Sequence, residues 1–351
     1  MHPPVPPRGR RGPAAIAAAC AALLAATAAS LMLGSVHVGF SDLLAVLGPG
    51  GGASSGGDSV SAAARIVTLV RLPRTVTAIG VGSALGLAGL VMQTVFRNAL
   101  AGPGVLGVTA GAGLGVAAVL LAGVGASIPG LTAVAAMVGA GLVLVLALTV
   151  NRIVGQPVFL LVLGLLFGYA ASSITTLLMA AAPGEGLERY VVWSFGSFAL
   201  PPGAAPWVIL AAAGATTAAL TVAAPRVDAL LLGPQYAESI GIHARRLHGT
   251  LILLAGTLTG LVTAFTGPIV FLGVAVPHIA RGVVRSSRHR ILVPMTALTG
   301  ASLALVADIA ARLPGSDRVL PLNSVMALVG VPVVLAVILQ AQPEATEELG
   351  L

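Results

Sequence analysis

Long apolar stretches alternate with short polar ones along almost the whole chain. A helix needs about 20 mostly apolar residues to cross the hydrocarbon core of a membrane, and ten stretches reach or approach that length. They lie at residues 14–36, 75–95, 106–123, 127–150, 157–182, 205–224, 249–266, 269–284, 291–311 and 322–339. This pattern predicts an all-α membrane protein with ten transmembrane helices.

The polar stretch Pro225–His248 stands out between two long apolar stretches. It holds charged residues in a chain that has few of them: Arg226, Asp228, Glu238, Arg245 and Arg246. Within it, Gln235–Ile240 has the pattern of a short amphipathic helix, and Gly241 is a typical residue at which a helix stops. We predict a folded loop that a second protein can contact.

The other connections differ in character. Gly48–Ser61 is rich in Gly and Ser and predicts a loop, while residues 97–105 predict a re-entrant or tightly turned segment. Residues 184–203 combine charges with aromatic side chains, which is typical of the membrane–water interface and predicts a short surface helix. Small residues recur at helical spacing in the second and third spans and predict close helix packing. They are Gly82, Gly86, Gly89, Gly107, Gly111 and Gly115.

The two ends of the chain are polar. Residues 1–13 are rich in Pro and Arg and predict a disordered N-terminal tail, and residues 341–351 predict an acidic C-terminal tail. Residues 14–340 between them form one ten-helix domain, with 225–248 as the loop between the sixth and seventh helices. A cleaved signal peptide is the alternative interpretation of the first apolar stretch, but its length and the many spans after it favour a retained helix.

Composition supports the membrane assignment and excludes several classes of protein. The chain is 57% hydrophobic and 8% charged, whereas about a quarter of a soluble domain is charged. All 18 basic residues are arginine. A Walker-type ATPase needs a P-loop lysine, so this chain is not one, and it has no lysine for Schiff-base chemistry. Cys20 is the single cysteine, which excludes an internal disulfide framework and a cysteine-based metal site.

The distribution of arginines predicts the orientation. Ten spans place both termini on the same side of the membrane, and twelve of the 18 arginines fall on that side against six on the other. Cytoplasmic loops carry the excess of basic residues in membrane proteins. We therefore expect both termini and the Pro225–His248 loop to face the cytoplasm.

Four stretches resemble permease subunits of the FecCD type, the membrane part of ABC importers for iron–siderophores, haem and vitamin B12. They are Arg71–Arg74 with the glycine-rich span after it, Met92–Gly107, Gly233–Gly241 and Gly267–Arg312. The resemblance covers essentially the whole of residues 14–340. Ala99 departs from it, because the family usually has proline there, and this loosens the expected turn.

The resemblance implies a type II permease fold of ten helices, which pairs with a second copy or with a similar permease. It implies ATPase subunits on the cytoplasmic side and a substrate-binding (lipo)protein on the other. The chain is then not an enzyme and binds no cofactor or metal of its own, and ATP is used by the partner. The fold belongs in the inner (cytoplasmic) membrane.

The resemblance also assigns roles to particular residues. Arg71, Arg74 and Arg312 match positions that contact the binding protein, although arginines at these places can also simply anchor the helices at the headgroups. Glu238, Gly241 and Arg245 match the segment that couples to the ATPase. Asp308 lies four residues before Arg312, at the spacing of a helical ion pair.

Polar residues within the spans are candidates for the translocation path. Gln93 is costly to bury, and Ser172 and Thr176 are hydroxyl residues in the fifth span, although hydroxyls can instead bond their own helix backbone. The resemblance places an inner gate near Gln156, Pro157 and Val158. His278 is expected to be structural, since no second metal ligand has suitable spacing.

The predicted function is the permease subunit of an ABC importer for an iron(III)–siderophore, haem or cobalamin. An ion-coupled secondary transporter is the alternative, but such proteins usually carry carboxylates within the membrane, and Asp308 is the only candidate here. A membrane-embedded enzyme is less favoured, because no HExxH motif, carboxylate pair or Ser/His/Asp set is present.

Overall fold

The computed structural model describes residues 11–34, 38–39, 43, 64–123, 128, 130–154, 157–312 and 319–348, and within these ranges it is helical and contains no strand. The helices are α1 (Arg11–Met32), α2 (Leu72–Phe96), α3 (Val108–Leu120), α4 (Leu131–Val154), α5 (Pro157–Ala181), α6 (Gly184–Ser194), α7 (Ala205–Leu231), α8 (Pro234–Ser239), α9 (Ala244–Thr266), α10 (Leu272–Val284), α11 (His289–Ala311) and α12 (Leu322–Glu348). A π-helical turn at Val67–Arg71 leads into α2. The predicted loop Gly48–Ser61 lies outside the described residues.

Ten of these helices correspond to the ten predicted spans. In the described part of the chain, seven helical stretches are long and apolar enough to cross a membrane. Three shorter apolar helices, at 108–120, 272–284 and 322–333, complete the set. The all-α class with ten transmembrane helices is therefore confirmed.

The segment between α7 and α9 is shorter than predicted. Helix α7 continues through Pro225 to Leu231, because Val227 and Leu230 extend its buried face and are each 1% exposed. Helix α9 begins at Ala244, which is also buried. Only residues 232–243 therefore separate the two long helices, and α8 occupies half of them.

Helix α2 is the centre of the bundle. It packs against α7, α9, α10 and α11, and almost all of its residues are buried. Gly82 faces Gly300 of α11, and Gly89 faces Gly273 of α10, so closely that a Cβ at either position would collide with the opposite backbone. The small residues thus allow the close helix approach that their spacing predicts.

The remaining connections also match their predictions. After α2 the chain turns at Arg97, whose φ of 48° is left-handed, and passes through a 3-10 turn at Pro103–Leu106. The predicted surface helix is α6, in which Tyr190 is buried and lies 5.9 Å from Trp193 between ring centres. Helix α5, by contrast, leaves much of its apolar surface exposed.

Candidate functional site

Helices α2 and α11 run in opposite directions and meet at both ends of the bundle. We call the end where α2 starts and α11 ends the outer end, and the opposite end the inner end, following the predicted orientation. Polar side chains gather at each of these ends, whereas glycine contacts dominate between them.

The outer end holds a carboxylate enclosed by arginines. Asp308 of α11 is fully buried, and its Oδ1 accepts hydrogen bonds from Arg74 Nε at 2.9 Å and pairs with Arg74 Nη2 at 2.8 Å. Its Oδ2 lies 3.1 Å from Arg312 Nε, but that N–H points towards the Asp308 backbone carbonyl at 3.3 Å. The second contact is therefore a charge pairing without an aligned hydrogen bond, and it confirms the proximity expected from the i,i+4 spacing.

The same arginines bind the C-terminal end of α1. Arg71 Nη1 donates to the carbonyls of Leu31 and Met32 at 2.7 and 2.8 Å. Arg312 Nη1 donates to Leu33 O at 2.9 Å, and its Nη2 donates to Ser30 Oγ at 3.0 Å. The last carbonyls of a helix have no partner within it and carry partial negative charge, so these guanidinium groups satisfy them. We call Ser30, Arg71, Arg74, Asp308 and Arg312 the outer network.

The outer network shows how the three predicted docking arginines are placed. They do lie together, but they are not freely exposed, since Arg71 is only 5% exposed and the side chains of Arg74 and Arg312 are 15% and 10% exposed. Burial lowers the pKa of Arg312, and the neighbouring Asp308 carboxylate opposes that shift. Only a small part of each arginine side chain is therefore exposed, and most of it makes contacts within the chain.

At the inner end of the bundle, a histidine connects neighbouring helices. His289, the first residue of α11, donates from its backbone N to Asp228 Oδ1 at 3.0 Å, and its Nδ1 lies 2.6 Å from the same oxygen. Its Nε2 lies 3.0 Å from Thr94 Oγ1 of α2. Thr94 Oγ1 also lies 2.9 Å from Leu90 O, so this hydroxyl contacts both its own helix backbone and the His289 ring. Thr94, Asp228 and His289 form the inner clasp, which connects α2, α7 and α11.

Helix α8 is held by its backbone and presents its one charged side chain, Glu238, outwards. Arg97 Nη2 donates to Leu230 O at 2.9 Å and so fixes the end of α7 that precedes α8. Within α8, Ala237 is fully buried, whereas Glu238 is exposed, as is Arg245 at the start of α9. An exposed helix on a fixed base is a surface suited to contact with another protein.

The end of α8 depends on Gly241. Its φ is +83°, the Ile242 N–H donates to Ala237 O at 2.9 Å, and the Gly241 N–H donates to Glu238 O at 3.0 Å. This pair of hydrogen bonds is the Schellman motif, in which glycine adopts the left-handed conformation at low cost. The predicted helix Gln235–Ile240 ended by Gly241 is therefore found at Pro234–Ser239.

The candidate path residues with described side chains fall in two different environments. Gln93 is buried between α2 and α10, where its Nε2 donates to Val274 O at 3.3 Å and its Oε1 accepts from Arg281 Nη1 at 2.6 Å. Ser172 and Thr176 are exposed on α5, and the Thr176 hydroxyl donates to Ser172 O at 2.9 Å. Hence Gln93 links two helices, and the Thr176 hydroxyl bonds its own helix backbone.

The structure shows fewer contacts for the predicted gate residues and for His278. Gln156 lies outside the described residues, and Pro157 and Val158 form the first turn of α5. His278 Nδ1 lies 2.7 Å from Val274 O, one turn earlier in α10, in agreement with its expected structural role. In the described ranges no three His, Cys, Asp or Glu side chains are grouped as a metal site would require.

Several residues of these sites were not singled out from the sequence. Ser30, Thr94, Arg97 and His289 have polar partners that lie between 45 and 282 residues away in the chain. In the sequence, Asp228 is only one of several charges in a polar stretch. The one available signal was a polar side chain at the end of an apolar span, and this feature does not identify a partner.

Comparison with known proteins places this architecture among transport subunits. A model of the FecCD transport family matches residues 22–340. The vitamin B12 import system permease protein BtuC of Escherichia coli O9:H4 (strain HS) is 33% identical over 273 residues, which cover 78% of this chain and 83% of that protein. The BtuC protein of Salmonella typhi is 33% identical over 287 residues, covering 81% of this chain and 87% of its own.

Two solved structures share the fold. An inward-facing conformation of a putative metal-chelate type ABC transporter superposes with a TM-score of 0.78 and 26% identity, over 93% of this chain and 99% of the other. PsaBC from Streptococcus pneumoniae in complex with Fab gives a TM-score of 0.54 with 14% identity, over 76% and 90% of the two chains. The second likeness concerns the fold alone.

Proposed function

The chain belongs to the FecCD transport family, and on this premise we propose that it carries an iron(III)–siderophore across the inner membrane. As a member it is a multi-pass permease subunit of an ABC importer and not an enzyme, and the ATPase is a separate subunit. This membership removes the ion-coupled secondary transporter from consideration.

The observation that carries the cargo proposal is the likeness to a metal-chelate type transporter along nearly the full length of both chains. A ferric siderophore, haem and cobalamin are all metal ions enclosed by an organic chelator, so one type of path can accept each of them. Cobalamin is the second candidate, because the BtuC relatives are vitamin B12 permeases. Haem is the third member of the same chemical class.

Each end of the bundle is assigned one partner. In our proposal the binding protein docks at the outer end, where Arg71, Arg74 and Arg312 steer it by charge more than they add affinity. The ATPase contacts α8, the turn after it and the start of α9 through Glu238, Gly241 and Arg245, with ATP bound and hydrolysed on that subunit. Helices α2 and α11 connect the two ends, because the outer network and the inner clasp each join them.

The path itself requires a second permease, either another copy of this chain or a similar one. Helix α5 exposes a long face that carries Ser172 and Thr176, and we propose that this face lines the path between the two permeases. Pro157 and Val158 form the first turn of α5 at its inner end, and we propose that they close an inner gate together with Gln156, the residue before them in the sequence. Gln93 contributes by holding α2 against α10.

Transport in proteoliposomes tests the cargo. The permease is reconstituted with its ATPase and binding protein, and uptake of labelled ferric siderophore, haem and cobalamin is measured with ATP or with a non-hydrolysable analogue supplied on the ATPase side. We expect ATP-dependent uptake of the ferric siderophore above that of the other two. Preferential uptake of cobalamin would establish the second candidate instead, and uptake equally fast with the analogue would contradict ATP-driven import.

A further inference from the structure

A cleft of about 1050 Å³ opens at the inner end of the bundle, apart from α8 and from the exposed face of α5. Its walls are the start of α1, the end of α7, the end of α10 and the start of α11. Helix α1 is the least buried of the long helices, so the cleft lies at the lateral edge of the chain. Neither the docking proposal nor the coupling proposal uses it.

The cleft is strongly basic. Arg281, Arg285 and Arg288 line it, and within the described part of the chain neither Arg285 nor Arg288 has an acidic partner. Asp228 is the one carboxylate in the lining, and its Oδ1 already accepts two contacts from His289. Arg281 Nη1 is engaged by Gln93 Oε1 at 2.6 Å, so Arg285 and Arg288 are the two guanidinium groups that face the cleft against one engaged carboxylate, a charge balance that favours an anion. The start of α1 adds the partial positive charge of a helix N-terminus.

Apart from Ser286 and Ser287, the remaining lining is apolar. Leu231 and Leu232, at the end of α7, are 41% and 68% exposed, and Val284 and Ile291 complete the apolar wall. A free phosphate ion gains nothing from such a wall. An amphiphile with an anionic headgroup is favoured by two interactions. Its phosphate forms charge-assisted hydrogen bonds with arginine, and its acyl chains bury the exposed leucine side chains.

The position of the cleft also favours a lipid as its ligand. It lies where transmembrane helices begin and end, which is the level of the phospholipid headgroups, and on the arginine-rich side predicted to face the cytoplasm. Basic pockets between helices on that side bind anionic headgroups in other membrane proteins. We propose that this cleft binds an anionic glycerophospholipid, with Arg285 and Arg288 donating to the phosphate and Leu231 and Leu232 contacting the acyl chains.

Native mass spectrometry of the delipidated permease–ATPase complex tests this site, with phosphatidylglycerol or phosphatidylcholine titrated in. The Arg285→Gln/Arg288→Gln double variant removes two charges from the cleft. The matched control is Arg226→Gln/Arg290→Gln, which removes two exposed charges from the same end outside the lining. Each basic residue near a lipid surface contributes about fivefold to binding, so the cleft variant should lose roughly 30-fold in phosphatidylglycerol retention relative to the control.

A Leu232→Gln variant separates a lipid from a free phosphate, because it keeps every charge and alters an exposed side chain. It should lower phosphatidylglycerol retention and leave the binding of glycerophosphoglycerol, the headgroup without chains, unchanged. Three results would overturn the proposal. They are equal losses in the two double variants, full displacement of the lipid by inorganic phosphate, and loss of the ATPase from the Arg285→Gln/Arg288→Gln complex with unchanged lipid retention.

Discussion

The outer network and α8 are both assigned to contact with a partner protein, yet they are built in opposite ways. The outer network turns its charges inwards, where Asp308 and the last carbonyls of α1 bind the arginines. Helix α8 turns Glu238 outwards and is held by backbone hydrogen bonds and one buried alanine. At the outer end charge maintains the shape, whereas at α8 the backbone maintains the shape and the charges remain free for the partner.

The difference has an energetic consequence. Removing one member of a buried ion pair leaves an uncompensated charge and costs about 3–5 kcal/mol, whereas exposed pairs contribute only about 0–1 kcal/mol. A substitution in the outer network should therefore act mainly on the folded state. A substitution of a charge on α8 should act mainly on the contact with the partner.

The largest effect is expected from Asp308→Ala. It leaves Arg74 and Arg312 without their shared carboxylate and should destabilise the folded permease by about 3–5 kcal/mol, measured by thermal unfolding in detergent. The control is Glu185→Ala, which breaks the exposed pair with Arg189 and should cost at most about 1 kcal/mol. Equal shifts for the two variants would refute the view that the outer network stabilises the fold.

Gly241→Val should have the next largest effect. A β-branched residue at φ +83° strains the end of α8 by about 1–2 kcal/mol, although no neighbouring atom lies close enough to clash with the new side chain. We expect normal membrane insertion, retained ATP hydrolysis and loss of ATP-driven transport. Gly241→Asn is the matched control, because asparagine tolerates this conformation. Identical transport by the two variants would show that the backbone conformation is unimportant for coupling.

Reversing the charge at Arg71 and Arg74 should weaken docking of the binding protein and reduce uptake. Electrostatic steering acts chiefly on association, so we expect the association rate to fall on the order of tenfold, as measured by surface plasmon resonance on nanodiscs. Both reversals also break contacts of the outer network, Arg74 with Asp308 and Arg71 with the carbonyls of α1, so they should destabilise the fold as well, and docking is compared on protein shown to be folded. The Arg71→Lys and Arg74→Lys variants keep the charge and should retain docking. Unchanged docking by the reversed variants in a pull-down would show that these arginines do not guide the binding protein.

The smallest effect is expected from Glu238→Gln. The side chain is exposed and the helix backbone does not depend on it, so coupled transport should fall by no more than about fivefold, equivalent to about 1 kcal/mol. Transport rates in proteoliposomes measure this directly. A loss as large as that of Gly241→Val would mean that charge, rather than the shape of α8, dominates the contact.

The helices themselves were largely predictable, because crossing a membrane demands a long apolar run and each run is local in the chain. The end of α8 was predictable for a similar reason, since a left-handed residue at a helix terminus favours glycine. The extent of α7 was not, because its continuation past Pro225 depends on the burial of Val227 and Leu230 against other helices.

The candidate sites were only partly predictable. Arginines at span ends indicated a charged surface at the outer end, and the i,i+4 spacing indicated the contact of Asp308 with Arg312. Nothing local indicated that Arg74 would pair with Asp308 or that the arginines would bind the end of α1. Gln93 was a candidate for the path because it is polar, and its position between α2 and α10 depends on Arg281, 188 residues away. Pairings of this kind depend on which helices become neighbours.

The sequence by itself determined that the chain is a bundle of ten membrane helices, which side carries the arginines, and where a short helix interrupts the longest polar stretch. These properties follow from the free energy of transferring each local segment from water to lipid. The tertiary structure decided which charges are used within the chain and which remain for partners. In a membrane that choice depends on close packing between helices, and only the packed bundle brings Arg74 to Asp308 while it leaves Glu238 exposed.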